Sequence, residues 1–218
     1  MKRKLIGVFL LFSSLVYVIA WSPLLTVRSI EVTGLPTAIK PEFITSEISL
    51  EEGERLGRLD PRAIEKSLQE IPWILSADIS RDWLSRKVRI AVTVRTPIAA
   101  YRGKAIDSKG HPFIIPGEAI KGLPEVRAST SENLTSALAI YSQLPTSYKG
   151  DLIELIATKE NAVTSLHALS QGRALRIIWG DSKDVALKIT VLQALRALDE
   201  NKDVKKIDLS APHAPIVK

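Results

Sequence analysis

The longest charge-free stretch of the chain, Leu5 to Val27, places the strongest constraint on what it can fold into. Its 23 residues are dominated by Leu, Ile, Val and Phe, and they show no polar face. An α-helix rises about 1.5 Å per residue, so about 20 apolar residues cross the hydrocarbon core of a bilayer. The pattern predicts a transmembrane helix at residues 5–26.

The flanks of this segment indicate its orientation. Three cations lie within residues 1–4, and the positive-inside rule makes those residues a cytoplasmic tail, with the rest of the chain outside. Tyr17 and Trp21 suit the aromatic belt at a membrane surface. The alternative is a signal peptide cleaved after Ala20, but the apolar run exceeds the usual core of about 7–15 residues. The anchor is the favoured interpretation, and cleavage remains open.

The composition of the exterior part excludes several classes of function. Without the three N-terminal cations, 27 Lys and Arg residues face 24 Asp and Glu residues, which is weak evidence for nucleic-acid binding. Cysteine is absent, so disulfides and thiol catalysis are excluded. About 190 exterior residues suffice for two small domains.

The first exterior segment, residues 27–96, has the pattern of a small α+β domain. A strand at Arg28–Gly34 precedes a short helix around Glu42–Ile48. Asp60 and Pro61 then form a helix start, and Pro72 stops that helix. Two strands follow, the second at Lys87–Arg95 with alternating valine and isoleucine. This order predicts two helices on one side of a three-stranded sheet.

A second domain is predicted at residues 97–211, followed by a tail at 212–218. It should be an α/β unit with a mostly antiparallel sheet, which makes the whole exterior α+β. Helices are predicted within Ser131–Leu144 and Lys183–Leu198. Residues 163–169 are ambiguous between helix and strand, and the strand order stays open. The predicted strands are Ile98–Tyr101, Ala105–Ile106, Leu152–Ala157, Ala174–Trp179 and Lys205–Leu209.

Chemical motifs are missing from the sequence. No G-x-S-x-G motif and no Gly-Lys-Ser/Thr phosphate loop is present. His111, His167 and His213 are too widely spaced for a metal site and are predicted to lie on the surface or in turns. The sequence therefore predicts no catalytic residue, no metal ligand, no cofactor and no small-molecule substrate.

Arg81 is a cation in an apolar pattern. Ala77, Ile79 and Trp83 share one side of the predicted strand, and Arg81 has the same parity. An unpaired buried cation costs on the order of several kcal/mol. We therefore expect its methylenes to lie along Trp83 or Ile79, and its guanidinium to bind a carboxylate or helix-end carbonyls.

Five short motifs, in order along the chain, resemble those of the bacterial cell-division family FtsQ/DivIB, whose first exterior domain is a POTRA module. They are Val27-Arg-Ser-Ile-Glu-Val-Thr-Gly34, Ile71-Pro-Trp-Ile74 continuing to Arg81, Arg95-Thr-Pro-Ile-Ala99, Ile106-Asp-Ser-Lys-Gly-His-Pro-Phe113 and Ile207-Asp-Leu209. The chain departs from the family pattern at Leu84, where Pro is common, at Val94, where Glu is usual, and at Ser210, where Arg is usual. The structural signature residues that the resemblance implies are Gly34, Pro72, Trp73, Ala77, Arg81, Arg95, Pro97, Asp107 and Gly110.

The resemblance implies a non-enzymatic scaffold at the division septum. It would be a single-pass type II protein of the bacterial plasma membrane that joins FtsL and FtsB/DivIC and supports septum assembly. The implied docking edge is the last strand, formed by Lys205, Lys206, Ile207, Asp208, Leu209, Ser210 and Ala211. Alternatively, this strand is an edge protected by its lysines and by the prolines that follow.

Alternatives remain both for the binding surface and for the function. The sheet edge of the first domain is a second candidate surface. The rival function is a POTRA-like export or substrate-binding module, secreted if cleavage occurs after Ala20, and an enzyme acting on cell-wall material is the third hypothesis.

Overall fold

The computed structural model describes residues 6–10, 13, 17, 25–117, 120–159, 162–169 and 172–218. The predicted cytoplasmic tail and most of the predicted transmembrane helix lie outside these residues. Within them, no helix combines the length and the apolar character needed to cross a membrane. The chain divides into two compact units, Met1–Arg95 with Ile115–Glu118 and Thr96–Ile114 with Ala119–Lys218.

The first unit has the predicted order strand, helix, helix, strand, strand. Its sheet has the order β1-β3-β2, with β1 parallel and β2 antiparallel to β3. A single 3₁₀ turn, Leu56–Arg58, lies between the helices. The elements are β1 Ser29–Thr33, α1 Pro41–Glu47, α2 Pro61–Gln69, β2 Ile74–Asp82 and β3 Lys87–Val94.

Local sequence signals explain these elements. The Asp60 carboxylate accepts hydrogen bonds from the amides of Arg62 and Ala63 at 3.0 and 3.3 Å, which caps α2, and Pro61 occupies its first turn. Along β3 the residues alternate between buried and exposed, as a sheet covered on one face requires. The buried residues of the unit include Ile44, Leu56, Leu68, Trp73, Ile74, Ala77, Val88, Ile90 and Val92.

The second unit is built on a nine-stranded sheet with the order β12-β11-β10-β9-β8-β7-β4-β5-β6. Five neighbouring pairs are antiparallel and three are parallel, so the predicted α+β class with a mostly antiparallel sheet is confirmed. The strands are β4 Ala99–Tyr101, β5 Lys104–Ile106, β6 Pro112–Phe113, β7 Glu125–Ala128, β8 Leu152–Ala157, β9 Val163–Ala168, β10 Ala174–Gly180, β11 Lys206–Asp208 and β12 Ile216–Val217; the helices are α3 Ser131–Gln143, α4 Thr146–Gly150, α5 Val185–Ala197 and the 3₁₀ turn Asp199–Asn201.

Helices α3 and α5 supply the helical side of the hydrophobic core of this unit. Buried residues of these helices join the inward-facing residues of β7 to β11 in one cluster, with Trp179 fully buried. Lys188 lies on the buried face of α5, where its Nζ donates to the Asp181 carboxylate at 2.8 Å and to its carbonyl at 2.9 Å. Of the ambiguous residues 163–169, Val163–Ala168 form strand β9. The structure adds β6, β7, α4 and β12, which were not predicted.

Candidate partner-binding edge

Strand β11, which carries three of the seven sequence-predicted docking residues, is hydrogen-bonded on both sides. It pairs in parallel with β10 and antiparallel with β12. The Arg176 amide donates to the Lys205 carbonyl at 2.9 Å, and the Leu209 amide donates to the Ile178 carbonyl at 2.7 Å. On the other side, Lys206 and Lys218 exchange both of their backbone hydrogen bonds at 2.9 Å.

The prediction that Lys205–Ala211 forms the free edge of the sheet is therefore wrong. The strand ends earlier, because the Asp208 carboxylate accepts hydrogen bonds from the amide and hydroxyl of Ser210 and turns the chain. The segment predicted as a tail returns as β12 and covers β11. This strand could not be predicted from the sequence, because two apolar residues after a Pro-rich turn give no periodic signal.

One edge of the sheet is β12, and its hydrogen-bonding pattern shows which groups face outward. In an antiparallel ladder, hydrogen-bonded and non-hydrogen-bonded residue pairs alternate. Lys206 and Lys218 are a hydrogen-bonded pair, so the next pair, Ile207 and Val217, is not. The amide and carbonyl of Val217 therefore point away from β11, toward the open side of the edge.

The side chains near this edge are mostly basic and exposed. Arg176, Lys205 and Lys206 line a shallow depression of about 310 Å³ on the sheet, together with Leu166 and Ala174. Lys205 and Arg176 are exposed, and Ile216 is 54% exposed on β12. An extended acidic segment with apolar side chains would match this combination of charge and apolar surface.

The signature residues of the first unit have structural positions. Arg81 Nη1 donates to the carbonyl of Leu59 at 2.8 Å and to that of Leu56 at 3.3 Å, at the end of the 3₁₀ turn. Its guanidinium lies 5.2 Å from the centroid of the Trp83 ring. At Gly34, φ is +80°, and a Cβ would lie 1.9 Å from the carbonyl oxygen of Val92, so only glycine fits.

The other signature residues lie around β2 and at the start of the second unit. Trp73 and Ala77 are buried, and the Pro72 carbonyl accepts from Arg95 Nε at 2.9 Å. Pro97 is half-buried in the connection to β4. Asp107 is buried, and its Oδ1 accepts from the amides of Lys109 and His111, both at 2.9 Å, which closes a turn around Gly110 with φ of +82°.

The prediction of a surface or turn position is wrong for His167, which is 2% exposed. Its Nε2 lies 2.8 Å from the Ser165 hydroxyl, which accepts from Trp179 Nε1 at 2.8 Å, and its Nδ1 lies 3.2 Å from the Tyr148 carbonyl. Burial lowers the pKa of His167 to about 4, partly offset by the bond to the Tyr148 carbonyl. The imidazole is therefore neutral near pH 7 and serves as a structural link. Sequence reasoning missed it because its partners come from three separate segments.

His111 and His213 are exposed, as predicted. Over the described ranges, from residue 6 to residue 218 with their gaps, no three His, Cys, Asp or Glu side chains are grouped so as to hold a metal ion.

The chain is similar in sequence to known proteins. The family described as POTRA domain, FtsQ-type, matches residues 25–95. The cell division protein FtsQ of Corynebacterium glutamicum is 29% identical over 198 residues, which covers 84% of this chain and 86% of that protein. The FtsQ proteins of Myxococcus fulvus and Salinibacter ruber are 27% and 24% identical, over 74% and 87% of this chain. The match covers 62% of the Myxococcus protein and 81% of the Salinibacter protein.

Two independent observations thus agree, since the first unit has the helix and strand order of a POTRA module and the sequence matches extend through the second unit. The predicted resemblance to the FtsQ/DivIB family is confirmed: residues 25–95 form an FtsQ-type POTRA domain, in a chain that is similar to cell division protein FtsQ over most of its length.

Proposed function

We propose that the chain is a membrane-anchored scaffold of bacterial cell division that binds its partners by strand addition at the edge formed by β12. The FtsQ-type POTRA domain and three relatives named cell division protein FtsQ support the role in division. The charge-free segment at residues 5–26 supports the anchor, and the cations before it support an exterior location for both folded units.

The single observation that carries the strand-addition step is the outward-facing backbone of Val217. An edge strand with free amide and carbonyl groups accepts an extended segment, and the main-chain hydrogen bonds provide affinity. In this proposal, residues Lys205–Ala211 do not form the edge and lie next to it, on the inner side of β12. Their lysine side chains provide charge beside the edge, while β12 provides the backbone.

The partners that the resemblance implies are FtsB/DivIC and FtsL. An acidic, extended segment of such a partner would pair with β12 through its backbone and with Lys205, Lys206 and Arg176 through its carboxylates. Lys205 and Arg176 are exposed and Lys206 is half-buried, so these cations contribute more to the association rate and to partner choice than to affinity.

A proline at position 217 tests the proposal directly. Val217→Pro removes an amide that points away from β11, so the intramolecular pairing through Lys206 and Lys218 stays intact. We expect recovery of FtsB/DivIC and FtsL in crosslinked pull-downs from membranes to fall about tenfold, the effect of losing roughly 1.4 kcal/mol of hydrogen bonding and fit.

Val217→Ala is the matched control, because it shortens the same side chain and keeps the amide. Its recovery of partners should stay within about threefold of the unsubstituted chain, since only side-chain contact is lost. Equal recovery of partners with the proline and alanine variants would show that the partners do not bind by strand addition at β12. A chain found shortened and free of membranes would favour the rival export or substrate-binding module instead.

A further inference from the structure

The turn between β2 and β3, residues Trp83 to Arg86, presents apolar side chains directly to solvent. Leu84 is 99% exposed, more than any other large hydrophobic residue in the described part of the chain, and its neighbour Trp83 is 39% exposed. Single exposed apolar residues are common on proteins, but an adjacent Trp-Leu pair at a protruding turn is a candidate contact surface. We call these four residues the hairpin tip.

The tip is held in this conformation by its own hydrogen bonds. Asp82 Oδ1 accepts from the amides of Leu84 and Ser85, both at 3.1 Å, and these bonds lower the pKa of the Asp82 carboxyl. Asp82 and Lys87 are the last paired residues of the two strands. The Arg81 guanidinium lies over the Trp83 ring. The two apolar side chains are therefore presented by an ordered turn.

The position of the tip within the unit indicates what it contacts. Ser29 pairs with Lys87 in parallel, so β1 and β3 begin at the same end of the sheet. The Arg28 amide donates to the Arg86 carbonyl at 2.8 Å. The tip thus lies level with residues 26–28, where the chain enters the domain directly after the predicted transmembrane segment.

We infer that the hairpin tip inserts Trp83 and Leu84 into the interfacial region of the outer leaflet, beside the membrane anchor. This inference rests on the anchor in the proposed function. Trp is suited to the level of the headgroups, and Leu to the acyl boundary below it. Arg81 and Arg86 carry positive charge beside the two apolar residues.

The charges at this end of the unit show that apolar contact is the basis of the interaction. Val27 exchanges backbone hydrogen bonds with the loop at residues 51–54, its amide donating to Glu54 and its carbonyl accepting from Gly53. That loop brings three glutamates to the same end, the exposed Glu51 and Glu52 and the half-buried Glu54. They offset the arginines, so insertion should not require anionic lipid.

Single-cysteine labelling tests the inference on the full chain, which contains no native cysteine. Leu84→Cys would carry an environment-sensitive nitrobenzoxadiazole label, in phosphatidylcholine vesicles containing lipids spin-labelled near the headgroup. The matched control is Leu75→Cys, since Leu75 is an exposed leucine, 46% exposed, at the other end of β2. Nine residues of strand place it roughly 25–30 Å from the tip.

We expect quenching at position 84 to exceed that at position 75 at least about threefold, with a blue-shifted emission only at position 84. Adding anionic phosphatidylglycerol should change this ratio little. Equal quenching at both positions in a chain that sediments with the vesicles would overturn the hairpin inference alone. Protection of position 84 from aqueous iodide without lipid quenching would indicate a protein contact and overturn it as well. A chain that does not sediment with vesicles would overturn the proposed anchor together with this inference.

Discussion

At the scale of single residues, the cation in the apolar pattern of β2 explains how this strand is linked to the segment between the two helices of the POTRA unit. Arg81 shares the parity of Ala77 and Ile79, and it joins β2 to the carbonyls of Leu56 and Leu59. The sequence predicted helix-end carbonyls as one kind of partner because a buried guanidinium must be satisfied. It did not identify which carbonyls, since the 3₁₀ turn is 22 to 25 residues away along the chain.

Replacing Arg81 with Ala should lower the free energy of unfolding by about 2 kcal/mol, because two part-buried hydrogen bonds to carbonyls lose their charged donor and Trp83 loses its stacking partner. Urea unfolding of the chain in mild detergent measures the loss. Arg89→Ala is the control on β3. Arg89 is mostly exposed and 3.7–3.8 Å from Asp82 and Glu31, so less than about 1 kcal/mol should be lost. Equal losses would contradict the account of Arg81.

Gly34→Ala should destabilise the first unit by about 3 kcal/mol or more. The new Cβ would overlap the Val92 carbonyl oxygen, and the backbone has a φ of +80°. Gly53→Ala is a matched control, because its φ is +93° but a Cβ there meets nothing within 4 Å. It should cost only about 1 kcal/mol, from the strained φ alone. Similar midpoints of urea unfolding for the two variants would contradict this comparison.

His167 should make stability depend on pH. The unfolded imidazole takes up a proton below about 6.5, while the folded one stays neutral until about pH 4. Its contribution is therefore complete above pH 6.5 and is lost as the pH falls from 6.5 to 4, by about 3 kcal/mol in total. Unfolding of the chain and of His167→Gln at pH 7.5 and 4.5 should show a smaller decrease for the variant. Parallel decreases would show that other groups cause the pH dependence.

At the scale of elements, long periodic segments were predictable and short ones were not. The α2 and β3 patterns predicted their elements because a capping Asp-Pro and strict alternation are local signals. Strand β12 has only two residues and exists through its pairing with Lys206–Asp208. The sheet edge was therefore predicted one strand too early: without knowledge of its pairing with β12, β11 has the features of an edge strand.

Removing residues 212–218 should expose β11 as a new edge. The hydrogen bonds between Lys206 and Lys218 are lost with it, so we expect the free energy of unfolding to fall by about 1–2 kcal/mol. The bare edge should also promote association between copies, which sedimentation velocity at increasing concentration measures. Val217→Ala, which keeps β12, is the control and should remain unassociated. A truncated chain as stable and as monomeric as the control would contradict the role of β12 as a cover.

At the scale of the whole molecule, the α+β class and the FtsQ-type POTRA domain followed from the order of elements and from five motifs. The buried link from Trp179 through Ser165 to His167 could not be predicted, because packing of β9 against β10 brings these residues together. The central claim is that a partner strand adds to one defined edge of the second unit.

Photo-crosslinking in the membrane tests this claim most directly. Ile216, on β12, and Ile114, next to β6 at the opposite edge of the same sheet, are both 54% exposed and can each be replaced by benzoylphenylalanine. The account predicts that the probe at position 216 captures FtsB/DivIC and that the probe at position 114 does not. Capture from both positions alike, or from position 114 alone, would contradict it.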